Sequence, residues 1–268
     1  MKDLSQMKPQ EFRNMVREGS YTGTTSGVCV GYVQANLAIL PQKYAEDFLK
    51  YAQRNPKPCP ILECTKPGDP TTHIVAKNAN IATDLPGYRV YRNGVVADTT
   101  SDISKYWRDD LVGFLIGCSY SFEYALMEAG LEIRCITDKN FGWAYETNIP
   151  CAPSKYFSGP VIASMRPFPT DKIDLVYEIT SKLPHAHGTP IYHGDPSKIG
   201  VSLDKPYCGD LPRIEPGEVP VFWGCGITPQ RAIEFAAPDL AITHDAGHML
   251  ITDIRESDLE SHMTKYSA

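Results

Sequence analysis

The sequence predicts an α/β fold in two parts, and three segments with one shared pattern are the main reason. In each segment a short apolar run of strand character enters a loop of small or polar residues; the runs are FLIG (114–117), VPVFW (219–223) and DLAIT (239–243). Loops beyond the carboxyl ends of strands are where an open parallel sheet binds its ligands. If these strands share one parallel sheet, we expect the three loops to share a cleft.

A compact β-α-β pattern predicts the second, smaller part. GPVIASMRPFP has the pattern of a strand, DKIDLVYEITSKLP that of an amphipathic helix, and GTPIYHGDP that of another strand. The predicted division places 1–130 and 216–268 in a main α/β domain. Residues 131–215 form an inserted smaller α/β domain.

The other elements follow from hydrophobic spacing and turn residues. Amphipathic helices are predicted over 8–18 and 42–53, and CPILEC and PGYRVYRNG read as short strands. FEYALMEA carries a helical stripe that Gly130 ends. One alternative stays open, because 111–129 could form a single buried helix broken at Gly117 rather than a strand and a helix.

Composition limits the classes of partner. The 268 residues carry a net charge of −6, which disfavours binding to nucleic acid or to an anionic membrane. No apolar run has the length of a membrane span, and the N-terminal stretch lacks a secretory signal, so we expect a cytoplasmic protein. Its eight cysteines are far apart and are expected to be reduced thiols.

The loop YTGTTSG (21–27) is a candidate binding loop. The hydroxyls of Thr24, Thr25 and Ser26 and the backbone N–H groups around them could hold a carboxylate or a phosphate. The loop lacks the Gly-Lys-Ser/Thr ending of a nucleotide-binding P-loop. An ordinary polar loop remains the equal alternative.

GCSYSFEYAL (117–126) places small nucleophilic side chains just before a predicted helix. A hydrolase elbow needs glycine two positions after its nucleophile, and Ser121 occupies that place, so esterase chemistry is disfavoured. A helix cap explains one serine and the first-turn Glu123. It does not explain Cys118, Ser119 and Ser121 together, which we interpret as substrate-binding groups.

Two further loops contain candidates for catalysis. Cys225 lies between two glycines just before a helix, a position that lowers a thiol pKa and attracts anions, so Cys225 and the N–H of Gly226 are candidates. In HDAGH, His244 and His248 have the spacing of a helical metal pair, but Gly247 disfavours a helix there. Proton transfer is therefore favoured over metal binding at these histidines, with a structural role as the alternative.

Arg166 and Asp195 each follow a predicted strand. Arg166 in SMRPFP suits a bidentate grip on a carboxylate. Asp195 in YHGDP is a candidate acid, although Asp-Pro also forms plain turns. For both segments the structural interpretation is as strong as the functional one.

Six segments together resemble the D-glutamate cyclase family, whose bacterial members carry the name hydro-lyase. In chain order they are YTGTTSGVCVGYVQANLAILP, FLIGCSYSFEYALMEAG, SMRP, HGDP, VPVFWGCGITPQ and ITHDAGHMLITD. The resemblance covers nearly the whole chain. It implies a three-layer α/β/α sandwich with a smaller two-layer α+β domain, and a lyase that removes water, the named reaction being closure of D-glutamate to 5-oxo-D-proline.

Closure of a lactam needs a base, an acid and donors for the oxyanion. The residues permit His244 or His248 as base, Glu123 or Asp195 as acid, and donors in 118–121 and 225–226. Arg166 and the YTGTTSG loop would hold the α-carboxylate of a small acidic substrate.

Two other functions remain open on the sequence alone. These are a non-catalytic binder of a small acidic metabolite and a hydrolase with a cysteine or serine nucleophile. No cofactor is predicted, a divalent metal has only weak support, and a homo-oligomer stays an open expectation.

Overall fold

The computed structural model describes residues 3–140 and 142–266. Within these ranges the chain forms eleven strands and seven α-helices. The strands are β1 (Tyr32–Pro41), β2 (Ile61–Cys64), β3 (Tyr88–Arg92), β4 (Val95–Thr100), β5 (Leu111–Gly117), β6 (Trp143–Pro150), β7 (Pro160–Pro169), β8 (Tyr192–His193), β9 (Glu218–Gly224), β10 (Ala241–His244) and β11 (Leu250–Arg255). The helices are α1 (Pro9–Arg17), α2 (Gln42–Arg54), α3 (Tyr120–Glu128), α4 (Arg134–Thr137), α5 (Ile173–Ser181), α6 (Thr228–Ala236) and α7 (Leu259–Thr264).

The larger sheet has the order β2-β5-β1-β10-β3-β4, with β11 also paired to β1. Strand β1 is its centre, and all but its first residue are buried. One edge of β1 pairs along its length with β5. The other edge pairs first with β11, at Ala35↔Leu250, and then with β10, at Ala38↔Thr243. β10 therefore ends and β11 begins beside the middle of β1. The loop that connects them leaves the sheet at that point.

The smaller sheet has the order β6-β7-β9-β8. Strand β9 pairs antiparallel with both β7 and β8, so β7 and β8 run in the same direction. Helix α5 connects them, which confirms the predicted β-α-β pattern of this segment. In the sheet, strand β9 lies between β7 and β8.

The structure confirms a mixed α/β fold but not a parallel sheet. Every strand pair in both described sheets is antiparallel, so the expected parallel sheet is wrong. VPVFW lies in β9 and joins the smaller sheet although it follows the predicted boundary at 215. The sandwich of three layers, the two-layer domain and the division into domains stay predictions.

Local patterns located most elements correctly. FLIG is the end of strand β5 and is followed by α3, which excludes the single buried helix considered over 111–129. The hairpin of β3 and β4 turns through Asn93 and Gly94, both with positive φ, as expected for an Asn-Gly turn.

The two sheets share one hydrophobic core, and α3 contributes to it. Phe122 of α3 lies with its ring centroid 5.0 Å from that of Trp223 in β9, and Phe168 of β7 packs on the same indole. Side chains of β1 and β5 belong to the same buried cluster. None of the described helices is long and apolar enough to cross a membrane.

Gly117 ends β5 where the chain passes closest to another segment. A Cβ atom at this position would lie 1.7 Å from the backbone carbonyl oxygen of His185. The Gly117 N–H donates to the carbonyl of Pro60, and its carbonyl accepts from the Asn36 amide. The backbone is therefore fixed on both sides and cannot move to admit a side chain.

We expect Gly117→Ala to lower the free energy of unfolding by about 3 kcal/mol, because the added methyl group overlaps a backbone atom. Gly217→Ala is the matched control, since Gly217 has a positive φ but open space around it, and should cost only about 1 kcal/mol. Urea denaturation of both variants measures the difference. Equal losses in the two variants would contradict the close approach.

Candidate functional site

A small cavity lies where the larger and the smaller sheet meet, and we call it the Arg166 cavity. It has a volume of about 50 Å³, counted as space for the centres of water molecules, which is room for a few waters or the polar end of a small ligand. Its lining comes from strands β1, β6, β7 and β10, from helices α3 and α4, and from five connecting loops. The residues are Asn36, Cys118, Ser119, Tyr120, Cys135, Gly142, Trp143, Ala144, Ser164, Met165, Arg166, Cys208, Cys225, Ile227, His244, Gly247 and Met249.

Arg166 on β7 is the one permanent cation of the described lining, and Glu123 on α3 fixes its position. Nε and Nη2 of Arg166 both donate to Oε1 of Glu123, at 2.9 and 2.5 Å. The guanidinium carbon lies 4.8 Å from the ring centroid of Phe122 and 5.7 Å from that of Trp223. Both charged side chains are at least 95% buried. The guanidinium plane is thus held by an ion pair and two aromatic faces.

The electrostatics of the pair reflect its burial. Burial raises the pKa of Glu123, and the Arg166 charge only partly offsets this effect. Burial lowers the pKa of Arg166, but the Glu123 carboxylate more than reverses this, so the pKa of the guanidinium is raised. Arg166 therefore keeps its charge at every physiological pH.

Two serine hydroxyls lie beside the guanidinium of Arg166. Nη2 donates to Ser119 Oγ at 3.0 Å, and Nη1 makes only a long contact of 3.5 Å to Ser164 Oγ. Arg166 has five N–H donors, so Nη1 retains donor capacity for a ligand in the cavity. Ser121 does not belong to this set, because its Oγ accepts from the backbone N–H of Gln34 on β1.

His244 lies at the end of β10, where that strand leaves β1. The backbone N–H of Leu37 donates to its Nδ1 at 3.1 Å, in place of a bond between the strands. Gln230 on α6 donates to the His244 carbonyl at 2.9 Å. Burial lowers the pKa of the imidazole to about 4, so the ring is neutral at pH 7. Nδ1 also lies 3.3 Å from the Leu37 carbonyl, and Nε2 of Gln230 lies 3.4 Å from both ring nitrogens. The shorter contact, in which the Leu37 N–H donates to Nδ1, favours the tautomer that carries its proton on Nε2.

Asn36 is a lining residue that the sequence analysis missed. It is 3% exposed, and its Nδ2 donates to the carbonyl of Gly117 at 2.7 Å. Its carboxamide also offers Oδ1 as an acceptor in the lining of the cavity. Gly226 packs against this amide so closely that a Cβ would lie 2.1 Å from Nδ2. The sequence signal was a pair of amides, Gln34 and Asn36, at alternate positions of an apolar run.

Four thiols line the Arg166 cavity, and the two that were singled out from sequence are Cys118 and Cys225. Burial raises the pKa of Cys118 to about 12 and also raises the pKa of Cys225. The lowered thiol pKa predicted for Cys225 from its place before a helix is therefore wrong, because desolvation outweighs the nearby backbone N–H of Ile227. Both side chains are neutral groups of the wall.

The predicted binding loop 21–27 is hydrogen-bonded to the segment that follows β10 and does not itself line the cavity. Thr25 donates from its backbone N–H and its hydroxyl to the carbonyl of Gly247, at 2.7 and 3.1 Å. Its hydroxyl also accepts from the Met249 N–H. Thr24 and Ser26 are not among the lining residues. The loop positions Gly247 and Met249, which do line the cavity, whereas Thr24, Thr25 and Ser26 themselves do not.

Three other predicted residues are placed away from the cavity. Glu123 lies behind Arg166 and does not line it. Nδ1 of His248 donates to the carbonyl of Ala246 at 2.9 Å, and the ring packs against Gly87. Asp195 is exposed and caps a short 3-10 helix by accepting from Ser197. The sequence could not show these orientations, because they depend on partners distant along the chain.

The His244 and His248 spacing does not form a metal centre. Among the residues that the structure describes, no group of three or more His, Cys, Asp or Glu side chains is arranged to hold a metal ion. Only one of the two histidines lines the Arg166 cavity. Proton transfer at His244 stays a prediction, and the weak expectation of a divalent metal gains no support.

Comparison with known proteins finds one family profile and several relatives that share one name. The profile of a family described as D-glutamate cyclase matches residues 112–253. The chain is 50% identical to a protein of Bacillus licheniformis named "putative hydro-lyase", over 94% of this chain and 97% of that protein. It is 49% identical to one of the same name from Clostridium beijerinckii, over 96% and 99% of the two chains. The Bacillus subtilis protein "putative hydro-lyase YcsI" is 48% identical, over 94% and 99%.

One solved structure aligns with most of the chain at low similarity. It is a nitrogen repressor-like protein from Methanococcus jannaschii, with a TM-score of 0.40, 12% identity, and coverage of 93% of this chain and 96% of that one. These values are too low to support any conclusion about the site.

The neutral, buried His244 predicts a specific loss of stability in acid. Its pKa lies near 4 in the folded chain against 6.5 for the free side chain, so the unfolded chain binds a proton between these pH values and the folded chain does not. Stability is therefore full above pH 6.5 and falls as the pH approaches 4. We expect His244→Gln to reduce this fall by about 3 kcal/mol.

Urea denaturation between pH 7 and pH 4 measures the effect. His193→Gln removes an exposed histidine and should leave the acid dependence of the wild-type chain unchanged. If His244→Gln and the wild-type chain lost the same stability, the neutral buried imidazole would be contradicted.

Proposed function

The chain belongs to the D-glutamate cyclase family, and we propose that it is a hydro-lyase that removes water from a small carboxylate. The cyclisation of D-glutamate to 5-oxo-D-proline is the first reaction to test. One observation carries the proposal: a buried arginine, fixed by an ion pair, lines a small cavity whose described lining includes no carboxylate. Such a cavity favours an anion with one carboxylate near Arg166.

Lactam closure sets clear demands on the site. The α-nitrogen forms a bond to the side-chain carboxyl carbon, and the C–O π electrons move onto the oxygen. A C–O bond then breaks, and that oxygen leaves as water with the two protons that the nitrogen gives up. No oxidant is needed and no net proton is consumed. The protein has to orient the two ends and stabilise the negative oxygen.

The cavity residues suit these tasks. Nη1 of Arg166 and the hydroxyls of Ser119 and Ser164 hold the α-carboxylate. Oδ1 of Asn36 accepts a hydrogen bond from the substrate nitrogen and orients it. Nε2–H of His244 donates to the carboxyl oxygen that becomes negative, as a neutral imidazole can.

These roles replace several of the expectations drawn from the sequence: His244 becomes a hydrogen-bond donor instead of a base, and the YTGTTSG loop no longer holds the α-carboxylate. Glu123 becomes a positioning residue for Arg166 instead of an acid, because it lies behind the guanidinium. His248 and Asp195 have no part, since neither lines the Arg166 cavity. The thiols of Cys118 and Cys225 are neutral, which disfavours a cysteine hydrolase.

Chiral chromatography with mass detection tests the function directly. The purified chain is incubated with D-glutamate, L-glutamate and a panel of amino and hydroxy acids, and the products are identified by a mass loss of one water. A non-catalytic binder would instead be stabilised against heat by one of these acids and yield no product. That result would overturn the proposal and favour the binder.

We expect Arg166→Lys to lower kcat/KM by about 10- to 100-fold, because a charged, directional hydrogen bond to the substrate is worth roughly 1.5 to 3 kcal/mol. Most of the loss should appear in KM. Arg134→Lys is the matched control, since Arg134 is 3% exposed and paired with Glu132 and Glu218 outside the cavity. If both variants lost activity equally, Arg166 would have only a structural role.

The donor role of His244 predicts a graded response to substitution. His244→Gln keeps an N–H donor in the cavity and should retain more activity than His244→Leu, which we expect to lose on the order of 100-fold in kcat. Steady-state kinetics at pH 7 measure both variants. Equal kcat values for the leucine variant and the wild-type chain would remove His244 from the mechanism.

A further inference from the structure

Gln230 on α6 is a buried amide that contacts His244 in three places. It is 1% exposed. Its Nε2 donates to the backbone carbonyl of His244 at 2.9 Å and lies 3.4 Å from both Nδ1 and Nε2 of the imidazole. Gln230 is not among the described residues that line the Arg166 cavity. Any influence of this amide on a ligand in the cavity therefore passes through His244.

The shortest of these contacts identifies the two ends of the amide. A carbonyl oxygen only accepts hydrogen bonds, so the group 2.9 Å from the His244 carbonyl is the NH₂ end of Gln230 and not Oε1. Thr243 Oγ1 donates to the same carbonyl at 2.9 Å, so both lone pairs of that oxygen are occupied. Nε2 of Gln230 has two N–H groups, and the second is left for the imidazole.

The two equal distances place the amide nitrogen over the face of the imidazole. An atom at one distance from both ring nitrogens lies either above the ring or beside Cε1 in the ring plane. At 3.4 Å from each nitrogen, the in-plane position would overlap Cε1, which projects between them. The Gln230 amide therefore covers one face of the ring, in the manner of an N–H···π contact.

Contacts at two different parts of the ring define its orientation. The backbone N–H of Leu37 on β1 donates to Nδ1 at the ring edge, at 3.1 Å. This bond alone would allow the ring to tilt, because hydrogen bonds tolerate a range of angles. Gln230 on the face of the ring restricts that tilt. The edge contact from β1 and the face contact from α6 together fix the direction of Nε2–H.

The charged groups near His244 oppose one another. Burial has the largest effect on the pKa of the imidazole and lowers it, Asp245 raises it, and Arg89 and His248 lower it. Arg89 and Asp245 also form an ion pair with each other at 2.6 Å. The Gln230 N–H directs the positive end of its dipole at the ring and thus disfavours the imidazolium in the same sense as burial.

The amide of Gln230 has a cost that the core alone does not explain. Its Oε1 is buried without a hydrogen-bond partner among the described residues, and such acceptors are destabilising. A methionine would fill a similar volume without this cost. The described side-chain hydrogen bonds of Gln230 all involve His244, so the benefit of the amide lies in that contact.

We propose that Gln230 is a positioning residue for His244, whose imidazole it holds by the face so that Nε2–H keeps one direction in the Arg166 cavity. The donor role of His244 rests on the proposed function. The position of the amide over the ring does not, and it has a test of its own.

NMR of the wild-type chain tests the position of the amide. A proton over the face of an aromatic ring is shifted upfield by the ring current, so we expect a side-chain amide proton of Gln230 upfield of those of the other glutamines. His244→Gln removes the ring and should return this signal to the ordinary range. An amide proton in the ordinary range in the wild-type chain would overturn the proposal.

A double-mutant cycle tests the positioning role. We expect Gln230→Met to lower kcat by about 10-fold with a smaller change in KM, because the donor is misplaced. In the His244→Gln background the same change should have little further effect, since Gln230 acts through the imidazole. Equal losses of kcat in the two backgrounds would show a merely structural role and overturn the proposal.

Controls separate this result from the proposed function. Gln53→Met replaces an exposed glutamine of α2 and should leave kcat and the NMR signals of the His244 ring unchanged. If no acid gave a product, the proposed function would fail, and the ring signals would still decide the role of Gln230. They should differ between the wild-type chain and Gln230→Met, and identical signals would overturn the positioning role.

Discussion

The buried ion pair of Arg166 and Glu123 is the constraint on which the arrangement of the site depends. It joins β7 of the smaller sheet to α3, which follows β5 of the larger one, and so fixes the two sheets relative to each other. Removing either partner would leave an unpaired charge in the core, at a cost of about 3 to 5 kcal/mol. Phe122 and Trp223 pack on the guanidinium and exclude water from it. Arg166 consequently presents its remaining donors to the cavity in one orientation.

Hydrophobic periodicity in the sequence was sufficient to predict local structure. It was not sufficient to predict which strands pair with each other. The strand FLIG and the helix after it could be predicted because apolar spacing and Gly130 are local signals. The central strand β1 was missed, although amides at alternate positions of an apolar run are a pattern that favours a strand. Antiparallel pairing depends on contacts far apart in the sequence, such as that of Leu37 with His244, 207 positions away. No local pattern records such a contact.

The same limit explains which site residues were found. Residue types suited to anion binding identified Arg166 and Ser119, because a cation or a hydroxyl beside an apolar strand is visible in the sequence. Their roles depended on three-dimensional partners. Glu123 faces Arg166 rather than the cavity, and Thr25 supports Gly247 rather than a ligand. Burial reversed the expected behaviour of Cys225, since desolvation overcame the helix beside it.

Two polar residues lie in the buried run of strand β1, and both have a role in the fold. Gln34 and Asn36 occupy alternate positions, so their side chains lie on one face. Asn36 lines the Arg166 cavity, and Gln34 lines a second cavity of about 30 Å³ on the Glu123 side of the ion pair. An apolar residue at either position would pack more cheaply in the core. Their amides instead provide polar groups on both sides of Arg166 and Glu123, and the loop between β10 and β11 adds Gly247 and Met249 to the wall beside Asn36. The interruption in the sheet and the amides of β1 are therefore two parts of one arrangement.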